Sequence, residues 1–203
     1  MDIVKYFLAV GLLLLSLDAN AVLIERDWRT ANDSMLTYDP ATNLEWLDVT
    51  VTAGLSYNQV NDQLGAGGLY EGFTFASKQQ ILSLFSAVDL QEIPNDVSTE
   101  GNKIQTLLSF WGVTWDLGTG ERTEFLTANT TGLSPAEHWS GRVFWLDSGF
   151  TGVSAEMYVY DDNFTGAGIG SALVRVVPLP ATGWLLASAL LCLSGFSRRT
   201  TRH

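Results

Sequence analysis

Two apolar runs, one near each end, decide what the rest of this 203-residue chain can build. The first, Phe7-Leu8-Ala9-Val10-Gly11-Leu12-Leu13-Leu14-Leu15, follows Lys5 and leads to Ala19-Asn20-Ala21. It has no polar face to turn toward water, and the small-x-small triplet suits signal peptidase. Residues 1–21 are therefore expected to be a secretory signal for the Sec translocon, cut after Ala21 with Ala19 and Ala21 as recognition residues. The second run extends from Trp184 to Phe196 and stops at Arg198, Arg199 and Arg202. Leu179 to Phe196 carries no charge, close to the roughly 17-residue lower limit for a spanning helix. The arginines lie where a cytoplasmic stop belongs under the positive-inside rule. A C-terminal transmembrane helix is expected; a buried terminal helix, the alternative, leaves the basic stop unexplained. Residues 22–176 remain as one exported domain, long enough for a real core and undivided by any linker or repeat.

Charge and cysteine usage narrow what that domain does. Seven basic residues face twenty acidic ones within it, a net of −13. Such a field disfavours nucleic acid and anionic lipid as partners, and leaves divalent cations, basic proteins and sugars open. The single cysteine, Cys192, lies in the C-terminal apolar run, so the domain holds no disulfide, thiolate metal site or cysteine nucleophile. His138 is its sole histidine, and no G-x-S-x-G turn supplies a serine partner for a triad. A packed or surface side chain is the simpler reading of His138.

The periodicities alternate between two and 3.6. Met35 to Tyr38 and Leu44 to Val49 read as a strand pair around the Asp39-Pro40-Ala41-Thr42-Asn43 turn. Ser56-x-x-Gln59 and Ser77-x-x-Gln80 are capping boxes that open helices. Their apolar faces are Tyr57, Val60 and Leu64, then Ile81, Leu84, Phe85 and Val88. Ile104, Leu107, Leu108 and Trp111 form a third helical stripe. Short strands follow at Glu124 to Ala128, Arg142 to Asp147, Glu156 to Tyr160 and Ala172 to Val177, with Glu156, Tyr158 and Tyr160 sharing one face of the third. Strands at both ends around three central helices imply an α+β domain whose terminal strands meet in one sheet.

Chemistry-bearing groups are few. Asp39, Asn43, Glu45 and Asp48 form one oxygen-rich segment, and Asp161, Asp162 and Asn163 open a glycine-containing loop that could wrap Ca²⁺. Turn capping and solvated acidic loops are the competing explanation for both, and no other cofactor is indicated. Aromatic rings among polar residues are the usual basis of sugar binding. Trp139, Tyr158 and Tyr160 are the ligand-binding candidates, with Trp111, Trp115 and Trp145 nearby in sequence. Glu121 with Glu124, or Glu45 with Asp48, are the carboxylate pairs available to a glycoside hydrolase. No catalytic residue is assigned, and the domain is not expected to be an enzyme.

The C-terminal 27 residues, 177–203, open on "VPLPATG", in which two export signals overlap. Leu179-Pro180-Ala181-Thr182-Gly183 has the sortase form LPxTG. Gly183 abuts Trp184 directly, however, and puts a sortase cut at the bilayer interface instead of several residues outside it. Val177-Pro178-Leu179-Pro180-Ala181, the apolar run and Arg198-Arg199 resemble, in order, the VPLPA variant of the PEP-CTERM sorting signals. The resemblance implies processing by an exosortase in a Gram-negative bacterium that exports polysaccharide. An inner-membrane anchored precursor would mature at the cell envelope or surface.

The domain resembles Lcl-type bacterial surface domains with a C-type-lectin-like fold. The matching stretches are "DPATNLEWLD" at 39–48, "GGLYEGFTFASKQQILSLF" at 67–85, "HWS" at 138–140 and "SALVRVV" at 171–177. Asn43 stands where that family has glycine, and Phe73, Thr74, Phe75 and Ser77 where it has tryptophan, arginine, leucine and proline. The resemblance implies a lectin-like module that binds carbohydrate or biofilm matrix. Two other functions remain open: a secreted carboxylate-dependent hydrolase and a self-associating matrix protein.

Overall fold

Both capping boxes start helices where the sequence says they should. A computed structural model describes residues 22–97 and 100–178. In it Ser56 and Gln59 exchange bonds at the start of α1 (Tyr57–Asn61), and Ser77 and Gln80 do so at α2 (Lys78–Ala87). The third stripe forms α3 (Gly101–Trp111), which stops at Gly112, held at φ 87°. Ile81, Leu84 and Phe85 of α2 and Ile104, Leu107, Leu108 and Trp111 of α3 are buried in one cluster. The helix at Ser56 is shorter than its stripe, and Leu64 packs from the turns that follow it.

The first and last strands of the described residues share one sheet, as expected. A five-stranded antiparallel sheet carries β1 (Ile24–Arg26), β2 (Leu36–Asp39), β3 (Leu44–Leu47), β4 (Thr74–Phe75) and β11 (Leu173–Val176). Its order is β1-β2-β3-β11-β4, so the last strand lies between β3 and β4. The β2–β3 turn is built by Asp39, which accepts from Ala41 N and Thr42 Oγ1 at 2.9 and 2.6 Å, and by Asn43 at φ 57°.

A second, six-stranded sheet holds β5 (Ile93–Val97), β6 (Trp115–Asp116), β7 (Gly120–Leu126), β8 (Glu137–Leu146), β9 (Phe150–Asp161) and β10 (Ile169–Ser171). Its order is β10-β7-β8-β9-β5, with β6 also on β7, and only the β10–β7 pair is parallel. Three of these strands run well beyond the expected bounds, the expected 172–177 strand forms as β11, and β10 before it was not expected. Ladder pairing extends a strand past the point where its own alternation is readable. The α+β class, the joined terminal strands and three helices thus hold.

The second sheet has two different faces. Phe125, Val143 and Val153 pack beneath α2 and α3, in the same cluster as Trp46 and Val174 of the first sheet. The alternate positions of β7, Arg122, Glu124 and Leu126, point the other way. Leu126 is covered there by a second cluster with Leu47, Val60, Tyr70 and Phe73. Arg122 and Glu124 lie beyond that cover. No helix among the described residues is long and apolar enough to cross a membrane. The expected signal segment with Ala19 and Ala21 lies outside the described residues, as do the C-terminal span, Leu179, Pro180, Ala181, Arg198 and Arg199.

Candidate functional site

Strand register assembles the site. Glu124 of β7 pairs directly with Arg142 of β8, and Arg122 pairs with Phe144. On the other side of β8, Ser140 pairs with Tyr158 and Arg142 with Ser154. Residues 155–157 therefore oppose Gly141 alone, a bulge in β9. Gly141 permits it: a Cβ there would sit 2.4 Å from the Phe125 ring and 2.6 Å from Ser154 O. The bulge also corrects the sequence reading of this strand. Glu156 does not join Tyr158 and Tyr160 but bonds Lys78 of α2 at 2.5 Å and accepts from the Asn129 amide.

The result is a pocket of about 330 Å³ on the face away from α2 and α3. Its floor is Glu124, only 3 % exposed, which accepts from Tyr160 Oη at 2.7 Å and Ser140 Oγ at 3.4 Å. Its walls are aromatic: Trp115, Tyr158 and Phe164 are 47 %, 42 % and 44 % exposed. Phe164 stacks on Tyr160 with centroids 4.7 Å apart. Arg122 lies over Trp115 at 4.7 Å, and Arg142 over Tyr158 at 5.2 Å. The remaining wall is the loop 164–168, where Gly168 lets the Trp115 ring approach; a Cβ there would be 2.2 Å from Trp115 Cε3. Thr114 Oγ1 donates to Gly168 O at 2.7 Å and ties this loop to the strand that carries Trp115.

Burial pushes the Tyr160 hydroxyl well above its ordinary 10.0, and the hydrogen bond to Glu124 and that carboxylate's charge push it further. Tyr160 therefore stays a donor at physiological pH. A raised folded value stabilises fully below the unfolded one and is lost as pH climbs through the folded one. Tyr160→Phe should accordingly remove one late-ionising phenol from an alkaline absorbance titration and flatten the loss of stability above about pH 10. Loss of a phenol that ionises at the ordinary value instead would contradict the Tyr160–Glu124 pairing.

Of the sequence-nominated aromatics, Tyr158 and Tyr160 meet in this pocket and Trp139 does not. Trp139 pairs with Val159 on the opposite face and donates its indole N–H to Thr131 O at 3.1 Å. Asp161, Asp162 and Asn163 diverge. Asp161 accepts from Asn163 N at 2.8 Å, Asp162 lies 2.5 Å from His138 Nδ1, and Asn163 accepts from Asn58 at 2.9 Å. His138 is buried, stacked on Tyr57 at 3.6 Å. Glu45 is held by Arg26 and Arg175 at 3.3 and 2.5 Å, and Asp48 caps the 3-10 turn at 49–52. Among the described residues no group of three His, Cys, Asp or Glu side chains is placed to hold a metal ion.

The nominated carboxylate pairs are each divided. Glu121 alternates to the other face of β7, where Trp145 Nε1 donates to it at 3.3 Å, while Glu124 enters the pocket. Glu45 and Asp48 serve the ion pairs and the cap just described.

Val177, the first residue of the nominated sorting motif, closes the domain. Its N–H donates to Asn43 O at 3.1 Å, and its carbonyl accepts from the Asn43 side chain. Pro178 beyond it is exposed.

No family model, no curated protein and no solved structure matches the chain. The site accordingly rests on its own geometry. Sequence reasoning did not nominate Arg122, Arg142 or Phe164 for it. The signal available was the two-residue spacing of Arg122 and Glu124, which alternate with Thr123 and Phe125.

Proposed function

We propose that this chain is an exported envelope protein whose domain binds a saccharide of the cell-surface or biofilm matrix in the Trp115–Tyr158–Phe164 pocket. The observation that carries the reading is three exposed rings converging on one buried carboxylate. A pyranose offers C–H groups that pack on aromatic faces, while its hydroxyls need donors and acceptors held in fixed positions. Glu124 supplies acceptor positions and the Arg122 guanidinium supplies donors, while the bond from Tyr160 fixes the carboxylate. The pocket's volume suits one or two sugar units, and binding sites of this type are concave and mostly apolar with few polar groups. The lectin-like resemblance agrees with this reading, supported by the pairing of the last strand with β3. One carboxylate lines the pocket, so a non-catalytic role is favoured over a two-acid hydrolase.

Delivery rests on the tail. The VPLPA signal would hand the chain to an exosortase after Sec export, and the first residue of the motif, Val177, is bonded to Asn43. Two measurements test the proposal. Full-length chain purified in detergent should be retained by isolated exopolysaccharide, and Trp115→Ala should weaken retention about ten-fold or more, as for aromatic anchors generally. Retention that is absent, or indifferent to Trp115, sinks the binding claim. The mature C terminus should differ between cells with and without exosortase, and an identical C terminus in both sinks the processing claim.

A further inference from the structure

The pocket's charge runs against that of the domain around it. Only seven basic residues stand among twenty acidic ones in residues 22–176, yet two of the seven, Arg122 and Arg142, line this one pocket with a single acid, Glu124. Arg122 forms no ion pair among the described residues, and its Nε is buried without a hydrogen-bond partner. A half-buried guanidinium seated on an indole ring, with its Nε–H desolvated, is costly unless something accepts from it. Glu124 accepts from Tyr160 and Ser140. The acceptor for Arg122 is thus to come from a ligand.

We infer that the pocket selects saccharides bearing a carboxylate, the uronic acids, over neutral sugars, with Arg122 as the residue that reads the charge. This rests on the saccharide-binding reading above and narrows its ligand class. The chemistry fits the parts. An arginine's planar fork matches a carboxylate's two oxygens, while stacking on a ring holds that fork in place. Trp115 beneath Arg122 would pack the sugar face next to the acid, so charge and ring are read together. Glu124, directly opposite Arg142 in the register, is an acceptor for hydroxyls and repels a second acid. One carboxylate per bound unit is therefore the favoured count. The surrounding negative field would reject polyanions that do not seat a carboxylate on the arginine.

The test needs no variant to be decisive. Full-length chain in detergent micelles is titrated with polygalacturonate, alginate and hyaluronate, and with the carboxyl-reduced form of each, which keeps the linkages and loses the charge. At least one acidic polymer should bind ten-fold or more tightly than its reduced form. Arg122→Gln, confirmed folded by its thermal melt, should reduce that ratio to within about three-fold. Equal affinity for acidic and reduced polymers overturns the inference and leaves saccharide binding standing. Binding to dextran sulfate with none to the uronates overturns it also, as does a ratio that Arg122→Gln leaves intact. Failure of every polymer to bind removes the saccharide reading itself.

Discussion

Replacing Trp111 by alanine should cost about 3–5 kcal/mol of stability and lower the melting temperature by about 10 °C. Trp111 is 1 % exposed at the last turn of α3. Its ring meets Trp46 of the first sheet edge-on at 5.7 Å and Phe125 of the second at 4.5 Å. One side chain thus joins a helix to both sheets. The backbone around it cannot close over the void. Gly112 follows at φ 87°, with the Asp48 carboxylate against it, and Thr37 Oγ1 is bonded to Phe110 O at 2.5 Å. Thermal unfolding followed by circular dichroism reads the effect, and a loss below about 1 kcal/mol would show that the two sheets do not depend on this contact. Trp115→Ala is the matched control. It removes an equal ring from an exposed position and should shift stability by less than about 1 kcal/mol.

Glu124→Ala should destabilise by about 2–3 kcal/mol, from the loss of a buried acceptor and of the one negative charge beside two guanidiniums. Tyr160's hydroxyl would lose its acceptor, as would Ser140 Oγ. The register would leave Arg142 facing an alanine, with Arg122 two positions along the same strand face. Glu124→Gln keeps an acceptor for both hydroxyls and should recover about half of the loss, which separates the hydrogen bond from the charge. Chemical denaturation of the three proteins decides it. Equal stability of alanine and wild type would mean that the carboxylate is held there for ligand alone. The same substitution should also disorder the pocket floor, so saccharide binding should fall with it.

The two halves of the site were unequally legible. Tyr158 and Tyr160 could be picked out because they alternate with Val159 along a strand, a relation between near neighbours. Trp139 was nominated only as a ring among polar residues, outside any expected strand, and lies on the other face, because the face a strand turns outward depends on what packs beneath it. Glu156 shared the tyrosines' parity and left them at the bulge, which exists because Gly141 on the neighbouring strand lets Phe125 and Ser154 close in. Arg122 and Arg142 gave no local sign of acting together. Glu45 and Asp48 resembled a ligand set only while their partners, Arg26, Arg175 and the turn after β3, were out of sight.

What the sequence determined by itself is whatever a few consecutive residues can decide. The two capping boxes satisfy orphan amides within one turn, Asn43 accepts φ 57° because its short side chain tolerates it, and apolar stripes choose the helix faces. Those steps require no distant partner. The tertiary structure alone decided the pocket. Trp115, Glu124, Arg142, Tyr158 and Phe164 come from β6, β7, β8, β9 and the loop that follows, and only ladder register brings them to one face. A shift of one residue in any of those ladders would turn the affected side chains into the helical core. The chemistry of the site is therefore a property of strand pairing, which short stretches of sequence do not encode.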